Sequence, residues 1–237
     1  AVENAERDPH IGAIQSKTMQ YHLSTSHVER LNIIDTIGFR LLRSRRLLNV
    51  GHVEEDRGQY DQEIEIFGVE GAVPFFRREA LESCRINGKI IDEDMFWYGD
   101  DLDLVWRMHL YGWKQIYSPA VIAYHDRSTT KGVSRTWQDY FSRIKQRRQI
   151  PIHKRGLDWR NKRLARLKND YWANVFHNLP FILHREFMEL VYIVVIEPSV
   201  LLEVLKFIKL IPKTLRKRRT VLAQAKLDSQ AMQKWFK

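Results

Sequence analysis

Tyr98-Gly99-Asp100-Asp101-Leu102-Asp103-Leu104-Val105-Trp106-Arg107-Met108-His109-Leu110-Tyr111-Gly112-Trp113 is the stretch that decides the reading of this 237-residue chain. Leu102, Val105, Trp106, His109 and Leu110 recur at helical spacing, and Gly112 suits the left-handed residue that closes a helix. Carboxylates crowd the start of that helix. Asp100 is expected as its N-cap, with Asp101 and Asp103 complementing the helix dipole. The same residues also suit a general base, a carboxylate beside aromatic side chains that takes a proton from a hydroxyl. Both readings hold together if Asp100 caps and Asp101 points into a cleft.

Working outward, Glu63-Ile64-Glu65-Ile66-Phe67-Gly68-Val69 alternates as a strand does, 71–76 reads as extended, and 78–84 as a short helix. Asp8-Pro9 ends a first helix, and 11–16 reads as a strand. Residues 28–50 are ambiguous and 51–62 read as a polar loop, while 113–117 and 120–124 are extended. Residues 1–126 therefore alternate helix and strand, the pattern of an α/β layered domain. The chain opens Ala1-Val2-Glu3-Asn4-Ala5-Glu6-Arg7, as though a helix were already under way, so it is expected to be a fragment with no catalytic activity on its own.

Charge divides the chain. Residues 1–126 carry 14 Lys and Arg against 21 Asp and Glu; residues 127–237 carry 25 against 8, within a net charge of +10. A basic half suits a polyanion: membrane surface, nucleic acid or a phosphorylated substrate. A single cysteine, Cys84, excludes a disulfide scaffold and reads as a small buried hydrophobe. Past a linker at 128–132, residues 137–149 and 159–177 read as basic helices with interleaved aromatics.

Residues 181–211 are the most apolar part, but Glu189, Glu197, Glu203, Lys206 and Lys209 interrupt them. The longest charge-free run, 190–196, is far short of the roughly 20 residues needed to span a bilayer. A helix pair lying in the membrane interface is expected, with ordinary buried helices as the alternative. Lys213, Arg216, Lys217, Arg218 and Arg219 follow as a basic cluster for an anionic surface.

Four motifs in order resemble family-two glycosyltransferases, especially the rhamnosyltransferase-like branch. They are Asp56-Arg57-Gly58-Gln59-Tyr60-Asp61; Gly71-Ala72 with Arg77-Arg78-Glu79-Ala80-Leu81; Tyr98-Gly99-Asp100-Asp101-Leu102-Asp103-Leu104 with Arg107 and Gly112-Trp113; and Tyr117-Ser118-Pro119 leading to Tyr124-His125. The resemblance covers about residues 8–126. It implies an α/β fold: the C-terminal half of a GT-A (Rossmann-like) glycosyltransferase domain at 1–126, followed by a basic α-helical, membrane-associating region at 127–237.

The resemblance also implies an inverting transfer of a sugar, such as the deoxyhexose rhamnose, from a nucleotide-sugar to a glycan or lipid-linked acceptor. Asp101 maps onto the family's catalytic base. Asp100 stands where the family has Glu, and is carried with Asp101 as a catalytic residue. Gly71, Ala72, Trp97, Tyr98, Asp103 and Arg107 map to the acceptor side, where Trp97 and Tyr98 either stack on a sugar ring or belong to the core. His125 maps onto a ligand of the divalent metal, Mn²⁺ or Mg²⁺, whose other ligands are expected upstream. Asp92-Glu93-Asp94 spells a metal-binding pattern but falls in register with a different family segment, so no nucleotide-binding residue is assigned. The expected location is peripheral, on the cytoplasmic face of a membrane. The rival class is a non-enzymatic basic module holding nucleic acid or an anionic membrane; acidic residues 92–103 argue against nucleic acid.

Overall fold

A 13-residue strand, β1 (Ile11–Leu23), organises the sheet, and its first ten residues are all buried. A strand buried on both faces belongs in the middle of a sheet. The structure, a computed structural model, describes residues 1–23, 28–126, 147 and 150–237. Along one edge β1 pairs in parallel with β8 (Lys114–His125). Along the other it pairs antiparallel with β7 (Pro74–Phe76) and then β2 (Val28–Thr36). Two short strands, β5 (Glu54–Glu55) and β6 (Ile64–Glu65), extend the sheet beyond β2 and β8. A separate hairpin joins β3 (Phe39–Leu41) to β4 (Leu47–Asn49). With α1 (Val2–Arg7), α2 (Arg78–Ser83) and α3 (Asp100–Leu110), this is a mixed α/β architecture.

Three local expectations change. The ambiguous 28–50 resolves into β2, β3 and β4. The two extended pieces at 113–124 are one strand, β8. Its pairing jumps from Ser16 with Ser118 to Lys17 with Ile122, so 119–121 bulge where Pro119 has no N–H to donate. The helix expected over 159–177 is two, α4 (Ile152–Asn169) and α5 (Trp172–His177), parted where Asp170 and Tyr171 turn extended. The linker at 128–132 and the helix at 137–149 lie outside the described residues except at Arg147, which is helical.

After α5 come α6 (Leu179–Ile196), α7 (Leu201–Ala223) and α8 (Ser229–Gln233). This helical part shares the core of the sheet instead of forming a second body. Leu164, Ala165, Val221, Met232, Trp235 and Phe236 join Leu41, Leu104, Val105 and Trp106 in one buried cluster. The Trp235 ring lies 4.4 Å from His109, and the Lys237 amide donates to the Leu41 carbonyl at 3.1 Å. The change of composition at 126 is therefore not a packing boundary.

The basic cluster at 213–219 divides between internal and outward-facing cations. Lys213 binds Asp94 at 2.7 Å, and Lys217 binds Asp92 and Asp94. Arg218 is buried and donates to the carbonyls of Leu167 and Asp170. Arg216 and Arg219 remain exposed. Lys217 and Arg218 are spent inside the chain, while Lys213, half exposed beside Asp94, and Arg216 and Arg219 face outward. Cys84 has no exposed surface, and burial pushes its thiol up to about 11, as a buried small hydrophobe requires.

Helix α6 buries Ile182 and Ile193 but turns most of its apolar side chains outward. Glu186 accepts from Arg163 at 2.6 Å and Arg166 at 2.8 Å, and Arg185 pairs with Glu189 at 3.0 Å on the protein side. Leu183, Phe187, Leu190, Val194 and Val195 face outward, each more than half exposed. Leu202, Leu205 and Ile208 continue this apolar surface on α7. A surface helix in water carries its apolar stripe inward. No helix among the described residues is long and apolar enough to cross a membrane.

Candidate active site

The acidic stretch reaches α3 through an unusual turn. Trp97, Tyr98 and Gly99 have successive φ values of 57°, 68° and 82°. Glycine takes that conformation without penalty, whereas the other two residues each cost about 1 kcal/mol or more. Gly99, not Asp100, is the N-cap, and no side chain caps the helix; Asp100 is its first residue. Asp101 Oδ1 accepts from the Leu102 amide at 2.7 Å.

Asp101 then faces the 70–72 turn. A Cβ built on Gly71 would stand 3.4 Å from both Cβ and Oδ2 of Asp101, in van der Waals contact with the carboxylate, so the turn and Asp101 lie side by side. In that turn the Ala72 amide donates to Glu70 Oε2 at 3.1 Å. Burial pushes the Asp101 carboxyl up to about 6, helped by the negative charges of Asp100 and Glu70. The 70–72 turn thus brings Gly71 and the Glu70 charge to Asp101.

The aromatic pair lies on the other flank of the turn. Trp97 is 47% exposed, which removes the core alternative for it, and it stacks on Tyr98 at 5.8 Å between ring centres. Lys154 Nζ sits 3.9 Å from the Trp97 ring centre. An open groove of about 560 Å³ runs along Ile91, Glu93, Met95, Phe96, Trp97 and Asp100. It reaches Asp100 and stops short of Asp101.

Asp103 and Arg107 do not belong to any acceptor surface. Both have no exposed surface. Asp103 accepts from Arg107 at 2.9 Å, Lys168 at 2.8 Å and Asn169 at 2.7 Å. Arg107 also donates to the carbonyls of Cys84 and Ile90. Burial opposes charge on Asp103, but Lys168 and Arg107 outweigh it and hold the carboxyl below its usual range. The reason is helical phase. Two residues beyond Asp101 the helix has turned by roughly 200°, so Asp103 and its i+4 partner Arg107 face α4 and the interior. Asp92 and Asp94 are likewise taken by lysines, with Lys168 at 2.5 Å from Asp92.

His125, at the end of β8, has its Nδ1 2.9 Å from Oδ2 of fully buried Asp35. The Asp35 backbone carbonyl is also 2.9 Å from Nδ1 of His52. A carboxylate behind one ring nitrogen orients the other nitrogen outward, as in many metal-bound imidazoles. Among the described residues, however, no group of three or more His, Cys, Asp or Glu side chains could hold a metal ion. Of a metal site, the described residues supply one candidate ligand, His125.

Lys168, Asn169, Asn161, Asp35 and His52 escape the sequence reading. All act across long stretches of chain, and their only local sign is polarity within α4 or near strand ends. No family model matches the chain, and no curated protein matches it at a significant level.

Proposed function

We propose that this chain supplies the acceptor side and the catalytic base of an inverting GT-A-type glycosyltransferase. The reading rests on the motif order and on one geometric observation: Asp101 lies against side-chain-free Gly71 with its carboxyl pushed up to about 6. A carboxylate with that affinity stays mostly ionised at neutral pH, yet is a stronger base than an ordinary aspartate. It takes the proton of the acceptor hydroxyl while that oxygen attacks the anomeric carbon of a nucleotide-sugar. The nucleoside diphosphate leaves from the opposite face, so configuration inverts. Gly71 puts no side chain against the carboxylate, and the half-exposed Trp97, whose ring already carries Tyr98 and Lys154, offers its uncovered edge to a sugar ring.

The acceptor class is a glycan or a lipid-linked sugar, and the location is peripheral at the cytoplasmic face of a membrane. The outward apolar face of α6 and the start of α7 supports attachment. The rival basic module for nucleic acid is not favoured, because Lys168, Lys213, Lys217 and Arg218 are held by internal partners.

The test is sugar transfer, from a panel of nucleoside-diphosphate sugars to glycan acceptors, by the protein that includes the nucleotide-binding half expected upstream. Asp101→Asn is expected to lower kcat by roughly 10²–10⁴-fold. Turnover within a fewfold of the parent would overturn the reading.

A further inference from the structure

Helix α4 lies along the whole acidic segment. Arg160 donates to the Asp94 carbonyl at 3.2 Å, Lys168 binds Asp92 and Asp103, and Asn169 binds Asp103. Between them stands Asn161, fully buried. Its Nδ2 lies 2.8 Å from the carbonyl of Tyr98, 3.0 Å from that of Trp97 and 3.4 Å from that of Phe96. The chain passes so close that a Cβ on Gly99 would stand 3.2 Å from Asn161 Cβ. Two of these carbonyls belong to the non-glycine residues held at positive φ. Such backbone persists where its surroundings over-determine it. A carboxamide NH₂, with two hydrogens on one atom, can serve converging carbonyls; a side chain of the same shape without donors cannot.

We infer that Asn161 is a positioning residue: it holds the left-handed turn at 97–99 and thereby sets where the Asp101 carboxylate stands against Gly71. The inference rests on the reading of Asp101 as base, and it makes α4 part of the active centre.

The test follows the Asp101 carboxyl directly, by ¹³C NMR titration of the whole chain labelled at aspartate carboxyls. The Asp101 signal is identified by its loss in Asp101→Asn. In Asn161→Leu, of similar volume but without donors, the turn relaxes and water reaches the carboxyl. Its midpoint is expected to fall by roughly one unit or more from about 6 toward the ordinary 3.8, while the signals of Asp92 and Asp103 stay in place. If Asn161→Leu does not fold, Asn161→Ser, which keeps one donor, is read by the same criterion with a smaller shift. An unmoved Asp101 midpoint in a folded variant overturns the role of Asn161. Retained sugar transfer in Asp101→Asn would instead overturn the reading of Asp101 as base, so the two failures are distinguishable.

Discussion

Lys168 places its ammonium 2.8 Å from the Asp103 carboxylate, and neither side chain has any exposed surface. The two residues are 65 apart in the chain and join α4 to α3. Buried charges that keep all their partners are tolerated, but removing one partner strands the other in a medium that cannot solvate it. Asp103 is thereby a structural residue, two positions from a carboxylate proposed for chemistry.

Lys168→Met is therefore expected to destabilise the protein by about 3–5 kcal/mol, because Asp92 and Asp103 both lose a counter-charge. Removing the exposed Lys89–Glu93 pair should change stability by less than about 1 kcal/mol. Urea unfolding of the two variants checks the contrast.

Asp101→Asn should do the opposite to stability. The folded-state carboxyl binds its proton near 6 and the unfolded one near 3.8, so between these values the folded state holds more protons. Stability from this group is fully present below pH 3.8 and is lost as pH rises through 6. At pH 7.5 the variant is expected to be more stable by roughly 1–2 kcal/mol, a figure reduced for the solvent that Asp101 still meets. The gain should vanish below pH 4. Thermal unfolding across pH reads this, and a less stable variant at pH 7.5 would contradict it.

His109 runs in the other direction. It is buried against Phe67 and Trp235, and burial pushes its imidazole from 6.5 down to about 4. Between pH 6.5 and 4 the unfolded state holds more protons. The stability from keeping His109 neutral is present above 6.5 and is lost as pH falls through 4. The loss is roughly 3 kcal/mol. Because Asp101 opposes this slope, the Asp101→Asn background isolates it. His109→Leu in that background should flatten the dependence between pH 6.5 and 4.

Membrane attachment is expected to depend on apolar surface more than on charge. Flotation with neutral vesicles should retain much of the binding seen with anionic ones, and high salt should weaken it only modestly. Val194→Glu, on the outward face of α6, should weaken flotation about tenfold or more while leaving the fold intact. Binding abolished by salt alone would return the role to Arg216, Arg219 and other exposed cations.

Much of this protein is local in origin and could be read from the chain. The 3.6-residue recurrence of Leu102, Val105, Trp106 and Leu110 predicts α3, and Gly112, at φ 82°, closes it as predicted. The apolar 11–16 marks the start of β1 because side-chain period follows backbone geometry, whereas the alternation at 63–69 yields only the two-residue β6 (Ile64–Glu65). What the chain could not disclose is which charges would be spent inside. Asp101 and Asp103 look alike in sequence, and so do Lys217 and Arg219. Their fates part only when α4 packs on α3 and α7 on α4, because Lys168 and Asn169 reach Asp103, and Lys217 reaches Asp92, across 65 or more positions of chain. The outward apolar face of α6 was undecided for the same reason: its composition fits a core helix, and only the direction in which Arg163 and Arg166 pull Glu186 sets which side meets the surroundings.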